Sequence, residues 1–301
     1  MIYVFFHSRD LDGQCSGALC RYWLESRNSE FKMIPIDYGD DFNYEFAEGD
    51  TLYFLDWTLQ PKERMIELSK YCKMVVIDHH KTSEELIGLF DGVIRPDNKL
   101  AACALAAEFF LGRSFPFIDL LSKYDVWRIE DDWDEVLAFQ YGMRVVNADP
   151  STDEGIAMWR TLFDAGIDYA RKWIIVTQSD GRAILYYQRK QHIEALANSF
   201  DITFEDLRAI VLISQGIGSA QFDSKWDESK YDMMMSINNI RNEHWRVSLY
   251  TTKKDLDLSV IAKKWGGGGH ARACGFQVND IRTVIGNGLD LSAISKKLGG
   301  M

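Results

Sequence analysis

The stretch Met74-Val75-Val76-Ile77-Asp78-His79-His80 is an apolar run that ends in one carboxylate and two imidazoles. Successive apolar residues are typical of a parallel strand buried on both faces, and such a strand cannot keep three polar groups in its interior. We therefore expect Asp78, His79 and His80 to lie at the carboxyl end of the strand. Ligands bind at that edge of open α/β sheets, so the stretch predicts both a fold class and the place of a site.

Two other apolar runs, residues 2–6 and residues 51–55, end in the same way. The carboxyl ends of parallel strands meet at one edge of a sheet, so the polar residues after all three runs are expected to lie close together. The potential metal ligands that follow the two further runs are His7, Asp10, Asp12 and Asp56.

These residue types suit a hard divalent cation such as Mn²⁺ or Mg²⁺, which takes carboxylate oxygens and the occasional imidazole. The alternative for the segment from His7 to Asp12 is a polar loop with an aspartate that caps the next helix. Asp56 alone is typical of a turn residue. On a strand beside both other clusters, however, its carboxylate would bridge two ions, as a two-metal hydrolytic site with ions about 3.5–4 Å apart requires.

Adjacent histidines directly after a buried strand are uncommon in ordinary cores, although a chance surface pair remains the alternative. On an extended chain His79 and His80 point to opposite sides, so one is expected to bind metal while the other faces substrate. Asp78 is expected to orient the second nitrogen of an imidazole.

The glycine tract Gly266–Gly269, followed by His270 and Arg272, is the other unusual stretch. Glycines let backbone N–H groups approach an anion, and His270 and Arg272 would add donors. We interpret the tract as a phosphate cradle, with a flexible loop as the alternative.

Length and composition indicate a globular protein with two domains, because 301 residues are long for a single core. The net charge of -11 argues against a protein that grips a long duplex. The five scattered cysteines predict buried free thiols. No run has the length of a membrane span and the start lacks a basic region, so a cytoplasmic protein without a membrane partner is expected.

From residue 2 to about residue 150 the chain alternates strand-like runs with short amphipathic segments. This order is typical of βαβ units and predicts a mainly parallel sheet. Further strands are predicted at 31–36 and 93–94. The predicted helices are residues 16–26, 61–68 with proline in the first turn, 83–89, 100–111 and 117–125.

Residues 151–200 are helical in pattern, and we interpret them as a connector between domains. Ser151-Thr152-Asp153-Glu154 predicts a capped helix start, and Gly181 predicts a break or kink in the helix that follows. Residues 201–301 predict a smaller α/β domain, with strands at 209–213, 233–237 and 245–250 and a helix at 256–265.

Taken together, the motifs resemble the DHH phosphoesterase family with a C-terminal DHHA1 domain. The resemblance covers both ends of the chain and leaves only the helical connection without a counterpart. The residues that carry it are His7-x-x-Asp10-x-Asp12-Gly13, Asp56, Asp78-His79-His80, Asp125, Gly267-Gly268-Gly269-His270 and Gly275.

The resemblance implies an α/β fold with a mainly parallel DHH domain over residues 1–150, a helical connector over 151–200 and a DHHA1 domain over 201–301. It also implies a two-metal phosphoesterase, usually dependent on Mn²⁺, with Mg²⁺ or Co²⁺ as alternatives. The implied ligands are His7 and Asp10 for one ion, Asp12, His79 and Asp125 for the other, and Asp56 between them.

By the same resemblance, Asp78 would steady the metal cluster and His80 would lie near the scissile phosphate. Gly267, Gly268, Gly269 and His270 would bind the far end of the substrate. The chain departs from the family pattern in three places. The family's double alanine after the histidine is Ala273-Cys274 here. Tyr250 stands where many relatives carry an arginine, and Arg272 would take over the role of that arginine. The segment Ala101-Ala102-Cys103-Ala104 lacks a serine that is common in the family.

Family substrates include short RNA, 3′-phosphoadenosine 5′-phosphate, dinucleotides, single-stranded DNA and polyphosphates. The compact length favours a phosphodiesterase, an exonuclease-type hydrolase or oligoribonuclease, that converts short oligonucleotides (nanoRNA, dinucleotides) to mononucleotides. The alternatives are a 3′-phosphoadenosine 5′-phosphate phosphatase, a cyclic-dinucleotide phosphodiesterase and a nucleotide-binding regulator without activity. Monomer and homodimer both stay open.

Overall fold

A computed structural model describes residues 1–96, 99–129, 132–214, 218–241 and 244–286 of the chain. The chain forms two compact units, Met1–Leu185 and Tyr186–Met301. Within the described residues, no helix combines the length and apolar character needed to cross a lipid bilayer. All five cysteines are buried free thiols, as predicted.

The first unit is built on a sheet of five strands, all parallel, which confirms the predicted fold class. The spatial order is β2-β1-β3-β4-β5. The strands are β1 (Ile2–His7), β2 (Phe31–Ile36), β3 (Thr51–Leu55), β4 (Lys73–Asp78) and β5 (Asp91–Ile94).

Strand β4 is apolar throughout its middle because both faces of the sheet are covered. Val75 and Ile77 pack into the core on one face, whereas Met74 and Val76 pack into the core on the other. Successive side chains of a strand point to opposite faces, so a strand between two helical layers needs apolar residues at every position.

Six α-helices of the described residues and the first part of a seventh, which continues past Leu185, belong to this unit. A 3₁₀ helix covers Lys81–Leu86, where the sequence predicts a helix over 83–89. The helix predicted from residue 61 begins at Glu63, so Pro61 precedes it. The α-helices are α1 (Leu11–Glu25), α2 (Glu63–Leu68), α3 (Ala102–Leu111), α4 (Pro116–Asp125), α5 (Trp133–Met143), α6 (Asp153–Asp164) and α7 (Ile167–Leu196).

Helix α1 begins five residues earlier than the predicted Ser16, because Asp10 caps it. The Asp10 carboxylate accepts the backbone N–H of Gly13 at 2.9 Å, which satisfies one of the free donors of the first turn. Thr152 caps α6 in the same way, as predicted, by accepting from Gly155 at 3.0 Å.

Helix α7 runs without interruption through Gly181, so the predicted break at this residue is wrong. A Cβ at Gly181 would lie 1.7 Å from the carbonyl oxygen of Ala138, and one at Gly142 would lie 1.9 Å from that of Thr177. These two glycines therefore allow α5 and α7 to approach each other closely.

The second unit holds a mixed sheet of six strands, in the order β10-β11-β9-β8-β7-β6. Among the described strand pairs of this second sheet, only β7–β8 is parallel. The three predicted strands are present, and the predicted helix 256–265 shortens to α8. The elements are β6 (Phe200–Phe204), β7 (Leu207–Ile213), β8 (Met233–Arg241), β9 (His244–Tyr250), α8 (Ser259–Lys264), β10 (Gly268–His270), β11 (Ala273–Val278) and α9 (Arg282–Ile285).

Candidate metal centre

The candidate site lies where the strand order of the first sheet reverses direction. β1 is flanked by β2 on one side and β3 on the other, so the connections that leave the carboxyl ends of β1 and β3 turn to opposite sides. Open α/β sheets bind ligands in the crevice that such a reversal creates. His7 ends β1, Asp56 follows β3 and Asp78 ends β4 at this edge.

His7, Asp10 and Asp56 form the first cluster of potential ligands. The Nδ1 atom of His7 lies 2.7 Å from Oδ2 of Asp10 and 3.4 Å from Oδ2 of Asp56. The pair His7 and Asp10 predicted for one ion therefore lies together.

Asp12, His79 and Asp125 form the second cluster. The Nε2 atom of His79 lies 3.1 Å from Oδ2 of Asp125 and 3.5 Å from Oδ2 of Asp12. This set coincides with the ligands that the resemblance implies for the other ion.

Asp56 faces both clusters with different oxygen atoms. Its Oδ2 is the atom 3.4 Å from His7, and its Oδ1 lies 3.4 Å from Nε2 of His79. The residue is 1% exposed, and its backbone has a φ of 55° with the N–H donating to the carbonyl of Ile77. Asp56 thus has the placement that a bridging carboxylate requires.

Three features show that these residues fit a pair of divalent cations. Two ligand atoms that occupy adjacent positions about 2.1 Å from an octahedral ion are about 3.0 Å apart, which matches the spacings above. His7 Nδ1, His79 Nε2 and Asp56 Oδ1 are buried without a hydrogen bond of acceptable geometry to any described residue. Finally, a set of imidazole nitrogens and carboxylate oxygens suits Mn²⁺ and similar ions.

The close spacing of buried carboxylates and imidazoles in the two clusters shifts their pKa values. Burial raises the pKa of Asp12, and the nearby Asp56 and Asp125 carboxylates raise it further. Burial alone would lower the pKa of His7 and His79, but the facing carboxylates outweigh it and raise both values to about 11. Without a cation, the clusters therefore hold protons.

Asp12 is held by the N-terminus of α3. Its two oxygens accept the backbone N–H groups of Ala102 at 2.9 Å and Cys103 at 2.6 Å, and the positive end of the helix dipole favours the carboxylate. Just before this helix, Ser122 Oγ accepts the backbone N–H of Ala101 at 2.9 Å.

Gly13 allows a close approach between the start of α1 and the end of β1. A Cβ at this position would lie 2.1 Å from the carbonyl oxygen of His7. The first turn of α1 therefore packs directly against the end of β1, which keeps Asp10 and Asp12 beside His7.

Asp125 is the last residue of α4, and its side chain is 26% exposed. A carboxylate at the C-terminus of a helix is disfavoured by the helix dipole. A cation shared with Asp12 and His79 would offset this cost.

His79 and His80 do not point to opposite sides, so that prediction is wrong. Strand β4 ends at Asp78, and His80 keeps an extended backbone before the 3₁₀ helix that starts at Lys81. The two imidazole rings are 4.5 Å apart, and His80 Nδ1 lies 3.7 Å from Oδ1 of Asp56. Both histidines therefore face the metal centre.

Asp78 orients His80 rather than the proposed ligand His79. Its Oδ1 lies 2.7 Å from His80 Nδ1 and accepts the backbone N–H of His79 at 2.8 Å. Its Oδ2 accepts the hydroxyl of Ser83. With Nδ1 engaged, His80 can present Nε2 outward from a side chain that is 36% exposed.

The sequence prediction missed Asp37 and Tyr38. Asp37 Oδ1 lies 3.2 Å from Nε2 of His7, and such a partner fixes the tautomer that leaves Nδ1 free for a metal. The Tyr38 ring lies 5.4 Å from the His7 ring and 6.1 Å from the His80 ring. Asp37 follows β2, so the rule that located His7 and Asp56 at strand ends would also have found it.

The glycine tract lines a cavity of about 660 Å³ in the second unit, together with Arg246 and Tyr250. Gly267 is required for packing, since a Cβ there would lie 2.1 Å from the carbonyl oxygen of Gly275, whereas Gly268 has open space around it. His270 ends β10 and Arg272 lies in the turn before β11. Both are exposed outside the cavity wall, which contains Arg246 instead.

Comparison with known proteins identifies the fold. No family model matches the sequence. The uncharacterized protein R106 of Acanthamoeba polyphaga mimivirus is 24% identical over 310 residues, which cover 94% of this chain and 68% of that protein. RecJ of Thermus thermophilus in complex with Mn²⁺ aligns with a TM-score of 0.45 at 14% identity, covering 91% of this chain and 49% of RecJ.

The pGpG-specific phosphodiesterase PggH of Vibrio cholerae aligns with a TM-score of 0.55 at 14% identity. The alignment covers 99% of this chain and 97% of PggH. The chain has the same fold as PggH. The expected α/β class is thereby confirmed.

Proposed function

We propose that the chain is a two-metal phosphodiesterase that hydrolyses short oligonucleotides and dinucleotides to mononucleotides. The observation that carries the proposal is the placement of Asp56, whose two oxygens face His7 in one cluster and His79 in the other, each at 3.4 Å. A carboxylate shared in this way is a feature of sites that hold two ions about 3.5–4 Å apart for phosphoryl chemistry.

In this proposal His7 and Asp10 hold one cation, Asp12, His79 and Asp125 hold the other, and Asp56 contacts both. Bound cations of this kind acidify water and neutralise charge on the phosphoryl oxygens. Asp37 holds the His7 tautomer, and Asp12 is fixed by the N-terminus of α3. Asp78 is a positioning residue that holds the His80 ring, and His80 offers Nε2 to the phosphate. Mn²⁺ is the proposed metal, with Mg²⁺ or Co²⁺ as alternatives.

The choice of a short substrate has two supports. The structure with the same fold is named for its action on pGpG, a linear dinucleotide. In addition, a net charge of -11 disfavours a surface that would grip a long polyanion. We propose the glycine tract at Gly267–Gly269 as the group that holds the distal phosphate.

The proposal is tested with labelled di- to pentanucleotides of RNA and DNA, assayed with Mn²⁺, Mg²⁺ or Co²⁺ and with a chelator. We expect mononucleotide release from the shortest chains, lost on chelation and restored by Mn²⁺. Activity confined to long strands would contradict the size claim. Phosphate release from 3′-phosphoadenosine 5′-phosphate or opening of a cyclic dinucleotide would favour those alternatives, and binding without turnover would favour a regulator.

The cradle is tested by comparing His270→Ala with Arg246→Ala. If His270 binds the substrate, its removal should raise KM about 10-fold with little change in kcat, because a hydrogen bond to a charged group is lost. An unchanged KM in His270→Ala, with a raised KM in Arg246→Ala, would transfer the role to the arginine that lines the cavity.

A further inference from the structure

Tyr38 lies at the metal centre and is none of the proposed cation ligands. It follows Asp37 just after β2, at the same edge of the parallel sheet as His7, Asp56 and Asp78. The residue is 45% exposed, so a large part of its side chain is open to an incoming molecule.

The Tyr38 ring packs against side chains from both parts of the centre. Its centroid lies 5.4 Å from that of His7, at an interplanar angle of 60°, and 6.1 Å from that of His80, at 75°. It also lies 6.2 Å from the ring of Trp57, which is buried. These contacts hold the ring beside one proposed cation ligand and beside the imidazole that is proposed to face the phosphate.

The hydroxyl group of Tyr38 has no hydrogen-bond partner among the described residues. Burial raises the pKa of this phenol, and the carboxylates of Asp78, Asp56 and Asp10 raise it further, so the phenol lies near the acidic groups of the centre. Even with its ordinary pKa of about 10, a phenol is an uncharged donor near neutral pH. The centre therefore contains an O–H donor that its own carboxylates leave unpaired.

A phosphoryl group is the partner that fits this donor. Its non-bridging oxygens are charged acceptors, and hydrogen bonds to charged acceptors are stronger than those between neutral groups. In the proposed function the phosphate lies at this centre and His80 offers Nε2 to it. Because the rings of Tyr38 and His80 are neighbours, their donors can contact different oxygens of the same phosphate.

We infer that Tyr38 donates a hydrogen bond from its hydroxyl to a non-bridging oxygen of the phosphate that reacts. The inference rests on the proposed function and adds to it a residue that touches the substrate. A donor held in place before the reaction stabilises charge that develops on these oxygens in the transition state. Tyr38 is in this sense a catalytic residue, whereas Asp78 acts through His80.

The test compares Tyr38→Phe, which removes the hydroxyl and keeps the ring, with Tyr44→Phe. Tyr44 belongs to the same segment between β2 and β3 and is 41% exposed, but its ring packs against Phe5 and Phe42. Calorimetry measures the binding of inorganic phosphate to the protein loaded with Mn²⁺. We expect Tyr38→Phe to weaken this binding about 10-fold, the effect of one lost hydrogen bond to a charged group, with Mn²⁺ affinity and melting temperature unchanged. Tyr44→Phe should bind phosphate as the unaltered protein does.

Phosphorothioate dinucleotides, in which sulfur replaces one non-bridging oxygen, locate the contact. Sulfur accepts hydrogen bonds weakly. The loss of kcat/KM in Tyr38→Phe should therefore be about 10-fold for the natural phosphate and for one diastereomer, and small for the other. A purely structural role of Tyr38 would lower kcat/KM equally for all three substrates.

Equal phosphate affinities in Tyr38→Phe and the unaltered protein, or no phosphate binding to the unaltered protein with Mn²⁺, would overturn the inference. Equal losses of kcat/KM for the two diastereomers, or the same loss in Tyr44→Phe, would also overturn it. Phosphate binding that depends on Tyr38, without hydrolysis of any dinucleotide, would contradict the proposed function alone.

Discussion

At the scale of one residue, the backbone conformation of Asp56 places its side chain between the two ligand clusters. Its φ of 55° lies in the left-handed region, which costs most residues about 1–2 kcal/mol and which aspartate and asparagine tolerate best. The conformation directs the two oxygens toward His7 and His79. The position of Asp56 directly after a strand predicted that it would lie near His7 and His79. No sequence pattern predicted its backbone conformation.

Replacement of Asp56 should separate catalysis from folding. Asp56→Asn keeps the left-handed backbone and the shape, so we expect a metal-free melting temperature close to that of the unaltered protein and a loss of Mn²⁺-dependent activity of at least about 100-fold. Asp56→Ala should lose activity equally and unfold more readily, because alanine tolerates this backbone less well. Retained activity in Asp56→Asn would contradict the bridging role.

Metal binding should release protons. In the metal-free protein the pKa values of His7 and His79 are raised to about 11, so both imidazoles are protonated near neutral pH and must lose a proton to bind a cation. We therefore expect Mn²⁺ affinity to rise as pH increases from 6 to 9. Calorimetric titrations in two buffers of different ionisation enthalpy measure the released protons, and an affinity independent of pH would contradict the protonated state.

The site residues were more predictable than their mutual orientation. Placing polar groups at strand ends located His7, Asp56 and Asp78 because a buried strand excludes them. The orientation of His79 and His80 was predicted wrongly, because backbone geometry alone was used, whereas the Asp78 carboxylate contacts the His80 ring and holds it near Asp56.

At the scale of elements, the spacing of apolar residues predicted most strands and most helices. The elements that it did not predict have local causes. β6 was missed because its turn to β7 uses Glu205 and Asp206, both with positive φ, instead of the glycine or asparagine that usually signals a hairpin. Glu205 is held there by Trp265 and Lys264. Gly181 was interpreted as a break because a contact with α5 cannot be seen in the sequence of α7.

The crossing of α5 and α7 should depend on Gly181. Gly181→Ala places a Cβ 1.7 Å from a carbonyl oxygen, so we expect a loss of unfolding free energy of about 2 kcal/mol or more. Gly166→Ala is the control, since a Cβ there meets no atom within 4 Å and the loss should stay below about 1 kcal/mol. Urea unfolding measures both, and equal losses would contradict the close-packing role.

At the scale of the whole molecule, the fold class was predictable, and the order of the strands was not. Apolar runs separated by helices predict parallel βαβ units, but they do not predict that β1 and β3 are neighbours, as they are in the observed order β2-β1-β3-β4-β5. That neighbourhood gathers potential ligands from residues 7 to 125 of the chain at one sheet edge. Cations bound there would also offset part of the net charge of -11.

Anomalous scattering from crystals of the protein grown with Mn²⁺ tests the two-metal centre most directly. We expect two peaks about 3.5–4 Å apart in the first unit. One peak should contact His7 and Asp10, the other Asp12, His79 and Asp125, with Asp56 touching both. A single peak, or peaks remote from Asp56, would contradict the two-metal centre.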